Sequence, residues 1–335
     1  MSQIAAPEQT SPILVDPWAP SSPIPLNGVL ERNRFAPLLT AFLALIVGLI
    51  LFQGIAAVAT IVLLLQSGVD LNTMMDDLPG LLASQAQVFI VSNTIGQVLG
   101  LALVAWGLAR MHTTRPAAFL RLRKPDVPLL ILSVLGLVAL VPVVQWAGIL
   151  NEHLPLPDVV REWDQTQMEL VEQILLGDFT ILFSLAMLAL TPAICEELLF
   201  RGYVQRQAER GLGVAGGILL SGIIFGLYHL RLTQAIPLSL LGIYLAYLAW
   251  RTGSLWIPVI IHFLNNGLAV FAAAYIENRP DLDISALEEM EIPWYIALIG
   301  LAFFLVIERV MHGRAEALTA HAEPELVSDN PVVTP

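Results

Sequence analysis

The stretch FTILFSLAMLALTPAICEELLFRGYVQRQAER, residues 179–210, decides the fold of this chain. Its first seventeen residues are mostly apolar, close to the length that a helix needs to cross about 30 Å of hydrocarbon. Glu196 and Glu197 follow directly. An ionisable side chain inside a membrane helix costs at least about 2.5 kcal/mol on insertion scales, so two adjacent acids mark a functional candidate. The stretch therefore predicts a membrane helix that carries chemistry.

Apolar runs of similar length recur along the chain. Of its 335 residues, 56% are hydrophobic and 13% are charged, about half the charge of an ordinary soluble domain, so a soluble globule could not bury the apolar surface. This composition also excludes a nucleic-acid-binding protein. We expect about eight spans, near residues 36–65, 88–109, 128–150, 179–201, 214–230, 235–250, 255–276 and 294–311. The fold class is thus an all-α, polytopic transmembrane helix bundle, multi-pass in the plasma (inner) membrane if the protein is bacterial.

The distribution of charge predicts the orientation of the bundle. With a cytoplasmic N-terminus, 13 of the 16 Lys and Arg residues fall on the inner side, as the positive-inside rule requires. Sixteen of the 28 acidic residues fall in the three outer loops, so the net charge of −12 arises largely there. We therefore expect both termini to be cytoplasmic.

The chain divides into three regions. Residues 1–35 are rich in proline and contain no Lys or Arg before Arg32, so we expect a disordered tail. Residues 36–312 form the transmembrane bundle, and residues 313–335 form a second disordered tail. Cys195 is the single cysteine, which excludes an intramolecular disulfide.

Glu196 and Glu197 cannot share one helical face, because neighbouring positions lie about 100° apart. Glu197 precedes Arg201 at i, i+4 in the favourable acid-first order, which predicts a structural ion pair. Glu196 has no such local cation and could point into the bundle. Alternatively, Glu196 lies near the cytoplasmic interface and its carboxyl group extends to water.

Two later spans repeat the i, i+4 spacing with residues that can take part in catalysis. Phe225 and His229 lie in the fifth span, and His262 and Asn266 in the seventh. Taken alone, His229 is more often a hydrogen-bonded structural residue, and the His262 pair could simply join helices. If the chain turns near Gly211, the acid and both imidazoles lie at similar depth in the cytoplasmic half of the membrane.

Such a set would supply the groups that add water to a carbonyl. A carboxylate acts as general base, a nearby imidazole orients the water, and the other imidazole and the amide stabilise the oxyanion. The chemistry suggested is amide hydrolysis. Other intramembrane and soluble hydrolase motifs are missing, namely H-E-x-x-H, the rhomboid G-x-S-G, the presenilin-type G-x-G-D and G-x-S-x-G.

Taken together, the motifs E-E-x-x-x-R, F-x-x-x-H and H-x-x-x-N resemble those of the CPBP family, which comprises CAAX prenyl proteases, Abi proteins and bacteriocin-processing proteins. The resemblance covers residues 191–266 and extends to FLRLRKP before the third span and to RTGSLWIPVIIHFLNN. It implies an all-helical intramembrane endopeptidase with its core at about 179–276, acting near the cytoplasmic membrane face.

The resemblance also implies roles for the motif residues. Glu196 would be the general base with His229 as its partner, and His262 and Asn266 would stabilise the oxyanion. The architecture would be held by Glu197, Arg201 and Phe225. The family is often called metalloprotease, and Zn²⁺ could in principle be held by Glu196, His229 and His262. Because no closely spaced His pair is present, a metal-free glutamate mechanism is slightly favoured.

The expected partners are a peptide or lipidated-peptide substrate and membrane lipids, with no nucleic acid. The sequence indicates neither the specificity pocket nor the oligomeric state. One alternative function is a non-catalytic membrane binding or immunity protein of the same fold. A second is a transporter with the acid and imidazoles as a proton relay, against which the lack of an inverted repeat weighs.

Overall fold

The computed structural model describes residues 12–70, 80–81, 84–175, 177, 179–277, 292–320 and 332–333. The structure is mostly helical, which confirms the predicted fold class. The helices in chain order are α1 (Val29–Arg32), α2 (Pro37–Gln66), α3 (Ala86–His112), α4 (Pro116–Phe119), α5 (Val127–Glu152), α6 (Asp158–Leu175), α7 (Ile181–Tyr228), α8 (Ala235–Thr252), α9 (Trp256–Glu277) and α10 (Trp294–Ala320). A 3₁₀ turn, Leu232–Gln234, precedes α8.

Seven of the described helices are long and apolar enough to cross a membrane by length and composition, namely α2, α3, α5, α7, α8, α9 and α10. The protein is therefore an integral, multi-pass membrane protein. Helix α2 runs without a break through Gln53 and Gly54, where the sequence allowed an interruption. Helices α2, α3, α5, α8 and α9 agree with the predicted spans to within three residues. Helix α10 continues nine residues past the predicted end at Met311, to Ala320.

Helix α7 contains two of the predicted spans, because the chain reverses inside it. Gly213 has φ +75°, a backbone conformation that glycine adopts without strain. The reversal divides α7 into a first arm, residues 181–212, and a second arm, residues 214–228. Ser221 Oγ donates to the Phe200 carbonyl across 3.2 Å, so the two arms lie side by side and antiparallel. The described chain then has eight apolar helical segments within its seven candidate spans, with the turn at Gly213 rather than near Gly211.

The first arm changes its helical winding around the two acids. The α-helical segment Thr191–Glu197 lies between two π-helical segments, Leu185–Leu190 and Leu198–Val204. Pro192 has no backbone N–H, which contributes to the break in regular hydrogen bonding above the acids. Single π turns are frequent at functional sites because they re-aim neighbouring side chains.

Close glycine contacts set the arrangement of the site helices. A Cβ on Gly222 would lie 2.5 Å from Ile243 N, and a Cβ on Gly242 would lie 2.5 Å from Gly222 O. The second arm of α7 and α8 therefore touch backbone to backbone, as small residues allow in membrane bundles. Helix α9 packs on the first arm, α2 packs on α3 and the second arm, and α10 packs on α5.

Residues 12–34 are folded rather than disordered, which corrects the prediction for most of the N-terminal tail; residues 1–11 lie outside the described chain. Strand β1 (Ile13–Leu14) pairs antiparallel with β2 (Ile24–Pro25) and parallel with β3 (Val332–Val333). Leu14, Ile24 and Leu26 are at most 1% exposed and join the core that contains the first arm of α7. Composition could not reveal this docking, because the apolar residues lie between prolines and bury themselves only against other segments.

The C-terminal tail also differs from the prediction. Helix α10 includes residues 313–320, and β3 adds a strand to the N-terminal segment. Residues 321–331 and 334–335 of this predicted tail lie outside the described part of the chain.

Candidate active site

The two adjacent acids of α7 have different surroundings. Glu197 is fully buried, and its Oε1 accepts from Arg201 Nη1 across 2.6 Å, which is the ion pair predicted from the i, i+4 spacing. The side chain of Glu196 is 16% exposed, and its Oε2 is buried without a hydrogen-bond partner in the described structure. The Oε2 atom of Glu197 is also buried without a partner, so the two acids differ in that Glu197 is held by Arg201 through Oε1, whereas Glu196 lines the adjoining cavity.

Arg201 links the acid pair to two neighbouring elements. Its Nη2 donates to the Gly242 carbonyl of α8 across 3.0 Å. Its guanidinium carbon lies 4.2 Å from the centre of the Phe225 ring on the second arm of α7, within range of a cation–π interaction. Arg201 is fully buried, so the charge of Glu197 is needed to compensate its own.

His262 joins α9 to both acids. Its Nδ1 lies 2.8 Å from Glu197 Oε1, and because an ionised carboxylate only accepts, Nδ1 is the donor. Its Nε2 lies 4.0 Å from Glu196 Oε2. Glu197 therefore fixes the orientation of the His262 ring as well as pairing with Arg201. This second contact was not predicted, since the spacing and the resemblance implied only an architectural role for Glu197.

His229 lies at the end of the second arm of α7 with one ring nitrogen engaged. Its Nδ1 donates to the Phe225 carbonyl across 2.8 Å, which directs Nε2 away from the helix. The Phe225 ring meets the rings of His229 and His262 edge to face, at 4.9 Å and 5.6 Å. Phe225 thus holds the two imidazoles on either side of itself.

Glu196 and His229 line a cavity of about 450 Å³. Its wall also includes Gln53 of α2 and two residues of α6, Trp163 and Gln167. The structure therefore places Glu196 near His262 and lines one cavity with Glu196 and His229.

Asn266 lies one helical turn beyond His262 on α9 and is half-buried. Its described hydrogen bond is with its neighbour: Asn265 Nδ2 donates to Asn266 Oδ1 across 3.3 Å. The described contacts do not join Asn266 to the acids or to His229. Its role in stabilising an oxyanion stays a prediction.

Comparison with known families agrees with the motifs. Residues 178–268 match the family model described as type II CAAX prenyl endopeptidase, Rce1-like. These residues, called the CPBP core below, are thus similar to the CPBP family of intramembrane proteases. At family level this match indicates a CAAX-type intramembrane protease, whose substrates are peptides or prenylated peptides. No curated protein and no solved structure matches the chain.

The three residues considered as zinc ligands, Glu196, His229 and His262, are not grouped as a metal site in the described structure. Two ligands of a tetrahedral zinc ion, each about 2.0–2.2 Å from it, lie about 3.4 Å apart, whereas Glu196 Oε2 and His262 Nε2 are 4.0 Å apart. Across the described ranges, no three His, Cys, Asp or Glu side chains are grouped as a metal site requires. The groups available for hydrolysis are therefore the side chains of the core.

The cavity of the CPBP core lies beside α6. The sequence places the site within reach of the basic, inner end of the bundle. On that side of Glu196, the first arm of α7 packs into the core through Leu199, Phe200 and Tyr203, each at most 1% exposed. The cavity is walled by α6, which connects the opposite ends of α5 and α7. Trp163 in that wall is 56% exposed, so the α6 wall faces the outside of the described bundle.

Three cavity residues escaped the sequence reasoning. Gln53 is the one polar side chain of α2 between Thr40 and Thr60, and this isolation was a usable signal. Trp163 and Gln167 lie on an amphipathic helix in an acidic loop. Nothing in their spacing indicated that the helix would cover a site formed by other spans.

Proposed function

We propose that the CPBP core hydrolyses a peptide bond of a membrane-associated peptide or lipidated peptide, with Glu196 as the general base and no metal ion. The observation that carries this proposal is the buried, unpartnered Oε2 of Glu196, which lies 4.0 Å from His262 Nε2 in a residue that lines the cavity with His229. A carboxylate oxygen without a hydrogen-bond donor is free to take a proton from water.

In the first step, water bound between Glu196 and His229 attacks the carbonyl carbon of the substrate. A C–O bond forms, one proton of the water passes to Glu196, and the carbonyl oxygen becomes an oxyanion. The Nε2 of His229 is available to orient the water, because its Nδ1 is engaged with the Phe225 carbonyl.

His262 stabilises the oxyanion by donating from Nε2, with the Asn266 side-chain amide as the second donor. A donating Nε2 requires both ring nitrogens of His262 to carry protons, since Nδ1 already donates to Glu197. In that state Glu196, Glu197, Arg201 and His262 carry two negative and two positive charges. The balanced charge supports this protonation state in a buried site.

In the second step the oxyanion collapses and the C–N bond breaks. The proton held by Glu196 passes to the leaving nitrogen, which departs as an amine, and the other product is a carboxylic acid that ionises. Glu196 returns to its starting state. Water is the sole co-reactant.

The decisive experiment replaces Glu196 by Gln, which keeps the shape and removes the basicity. Purified Glu196→Gln protein should fold and insert normally and lose cleavage of a prenylated CAAX-type peptide by at least about a hundredfold. Glu308→Gln is the matched control, because Glu308 lies on α10 with both carboxylate oxygens buried but outside the site. Cleavage at the normal rate by Glu196→Gln refutes the mechanism. Binding of the peptide by the wild-type protein without any cleavage favours the alternative of a binding or immunity protein.

A further inference from the structure

We propose that Gln53 of α2 and Gln167 of α6 bind the peptide groups of the substrate beside the scissile bond, which makes them substrate-positioning residues of the CPBP core. Both residues line the cavity that contains Glu196 and His229, and they approach it from two separate elements. This inference rests on the proposed peptidase function and adds to it the groups that recognise the main chain.

The position of Gln53 needs a functional explanation. It lies near the middle of a 30-residue apolar helix, where an amide without a hydrogen-bonding partner costs several kcal/mol in hydrocarbon. Gln53 is exposed and lines the cavity, so its amide has access to water or to a ligand there. A polar side chain kept at this depth is a candidate for binding substrate.

The chemistry of an amide side chain matches that of a peptide group. A Gln amide has one acceptor oxygen and two donor protons, and each peptide group offers one donor and one acceptor. Two such side chains can therefore hold an extended chain through its backbone, while pockets for side chains supply the specificity. Because both Gln residues are neutral, they add no charge beside the carboxylate of Glu196.

Helix α6, which contributes one wall of the cavity, is attached to the turn that follows His229. Asp164, one residue after the cavity residue Trp163, is 1% exposed, and its Oδ2 accepts from Thr233 N across 2.7 Å. This bond fastens α6 to the turn that follows His229. The position of Gln167 on α6, one helical turn after Trp163, is thereby held near the end of the arm that carries His229.

The test measures binding separately from turnover. A fluorophore-labelled peptide that ends in an S-prenylated Cys, two aliphatic residues and Met is titrated into full-length Glu196→Gln protein, and its affinity is read by anisotropy. Gln53→Met and Gln167→Met are added singly, because Met keeps the length of the side chain and removes its hydrogen bonds. We expect each to weaken binding about threefold to tenfold.

Matched controls lie on the same helices outside the cavity. Gln66→Met at the end of α2 and Gln165→Met on α6 should bind the peptide within about twofold of the parent. In the background with Glu196 intact, the two cavity variants should raise KM with kcat nearly unchanged, as expected for loss of binding shared by ground state and transition state.

A second probe separates backbone recognition from a merely structural role. It carries an ester in place of the peptide group next to the scissile bond and so lacks one N–H donor. This probe should bind more weakly than the peptide to the parent, and the difference should shrink in whichever Gln variant has lost the acceptor.

Equal binding by cavity and control variants overturns the role of the amide pair and leaves the peptidase proposal standing. An undiminished difference between the ester and peptide probes in both Gln variants also overturns it. Failure of the parent protein to bind the peptide at all overturns both proposals.

Discussion

Replacement of Glu197 gives the most direct test of how the site is held together. Its Oε1 accepts from Arg201 across 2.6 Å and from His262 across 2.8 Å, and all three side chains are at most 4% exposed. In Glu197→Ala, Arg201 keeps its bond to the Gly242 carbonyl but loses the counter-charge, and the His262 ring loses the acceptor that orients it.

The magnitude follows from burial. An exposed i, i+4 ion pair contributes about 0.2–0.5 kcal/mol, whereas breaking a buried pair leaves an uncompensated charge and costs about 3–5 kcal/mol. At about 2 °C per kcal/mol for a large domain, Glu197→Ala should lower the melting temperature by at least about 6 °C.

The assay is thermal unfolding in detergent, with Glu316→Ala as the control. His312 Nε2 and Glu316 Oε1 are also an i, i+4 pair, 2.9 Å apart, but both side chains are more than half exposed, so its loss should have no measurable effect. Adding Arg201→Met to Glu197→Ala should recover part of the loss, since it removes the unpaired charge. Equal melting temperatures for Glu197→Ala and Glu316→Ala would refute the reasoning.

Three further predictions concern the docking of the N-terminal segment, the packing of the helices and the access to the site. Burial alone would raise the pKa of Asp16, but the charge and hydrogen bond of Arg206 at 2.9 Å outweigh it and hold the pKa below its ordinary value of 3.8. The N-terminal segment should therefore stay docked above about pH 4 and loosen as the pH falls through that lowered pKa, as read by Trp18 fluorescence, while Asp16→Asn should remove this pH dependence. Gly222→Ala should cost about 1–3 kcal/mol because its Cβ meets the backbone of α8, whereas Gly148→Ala, with open space around it, should be neutral or stabilising in the same melting assay. In a Cys195→Ala background, Trp163→Cys should react with a membrane-impermeant thiol reagent applied to the face opposite the one that labels the exposed Arg110→Cys; labelling of both from one face would show that α6 does not lie at the far end of the bundle.

The sequence alone determined what a single helix can determine. Hydropathy located most spans to within three residues, and the i, i+4 spacing predicted the Glu197–Arg201 pair, because both signals depend only on the geometry of one helix. The order of the three motifs gave the family, and the depth of each motif correctly allowed Glu196 and His262 to meet.

Only the tertiary structure decided which groups face each other across helices. The contact of His262 with Glu197, the amides of Gln53 and Gln167 in the cavity, and the docking of residues 12–34 all depend on how helices rotate and cross. Those rotations are set by close packing at residues such as Gly222 and Gly242 and by the π-helical segments around the acids, which act between distant parts of the chain. No periodicity within a single segment encodes them.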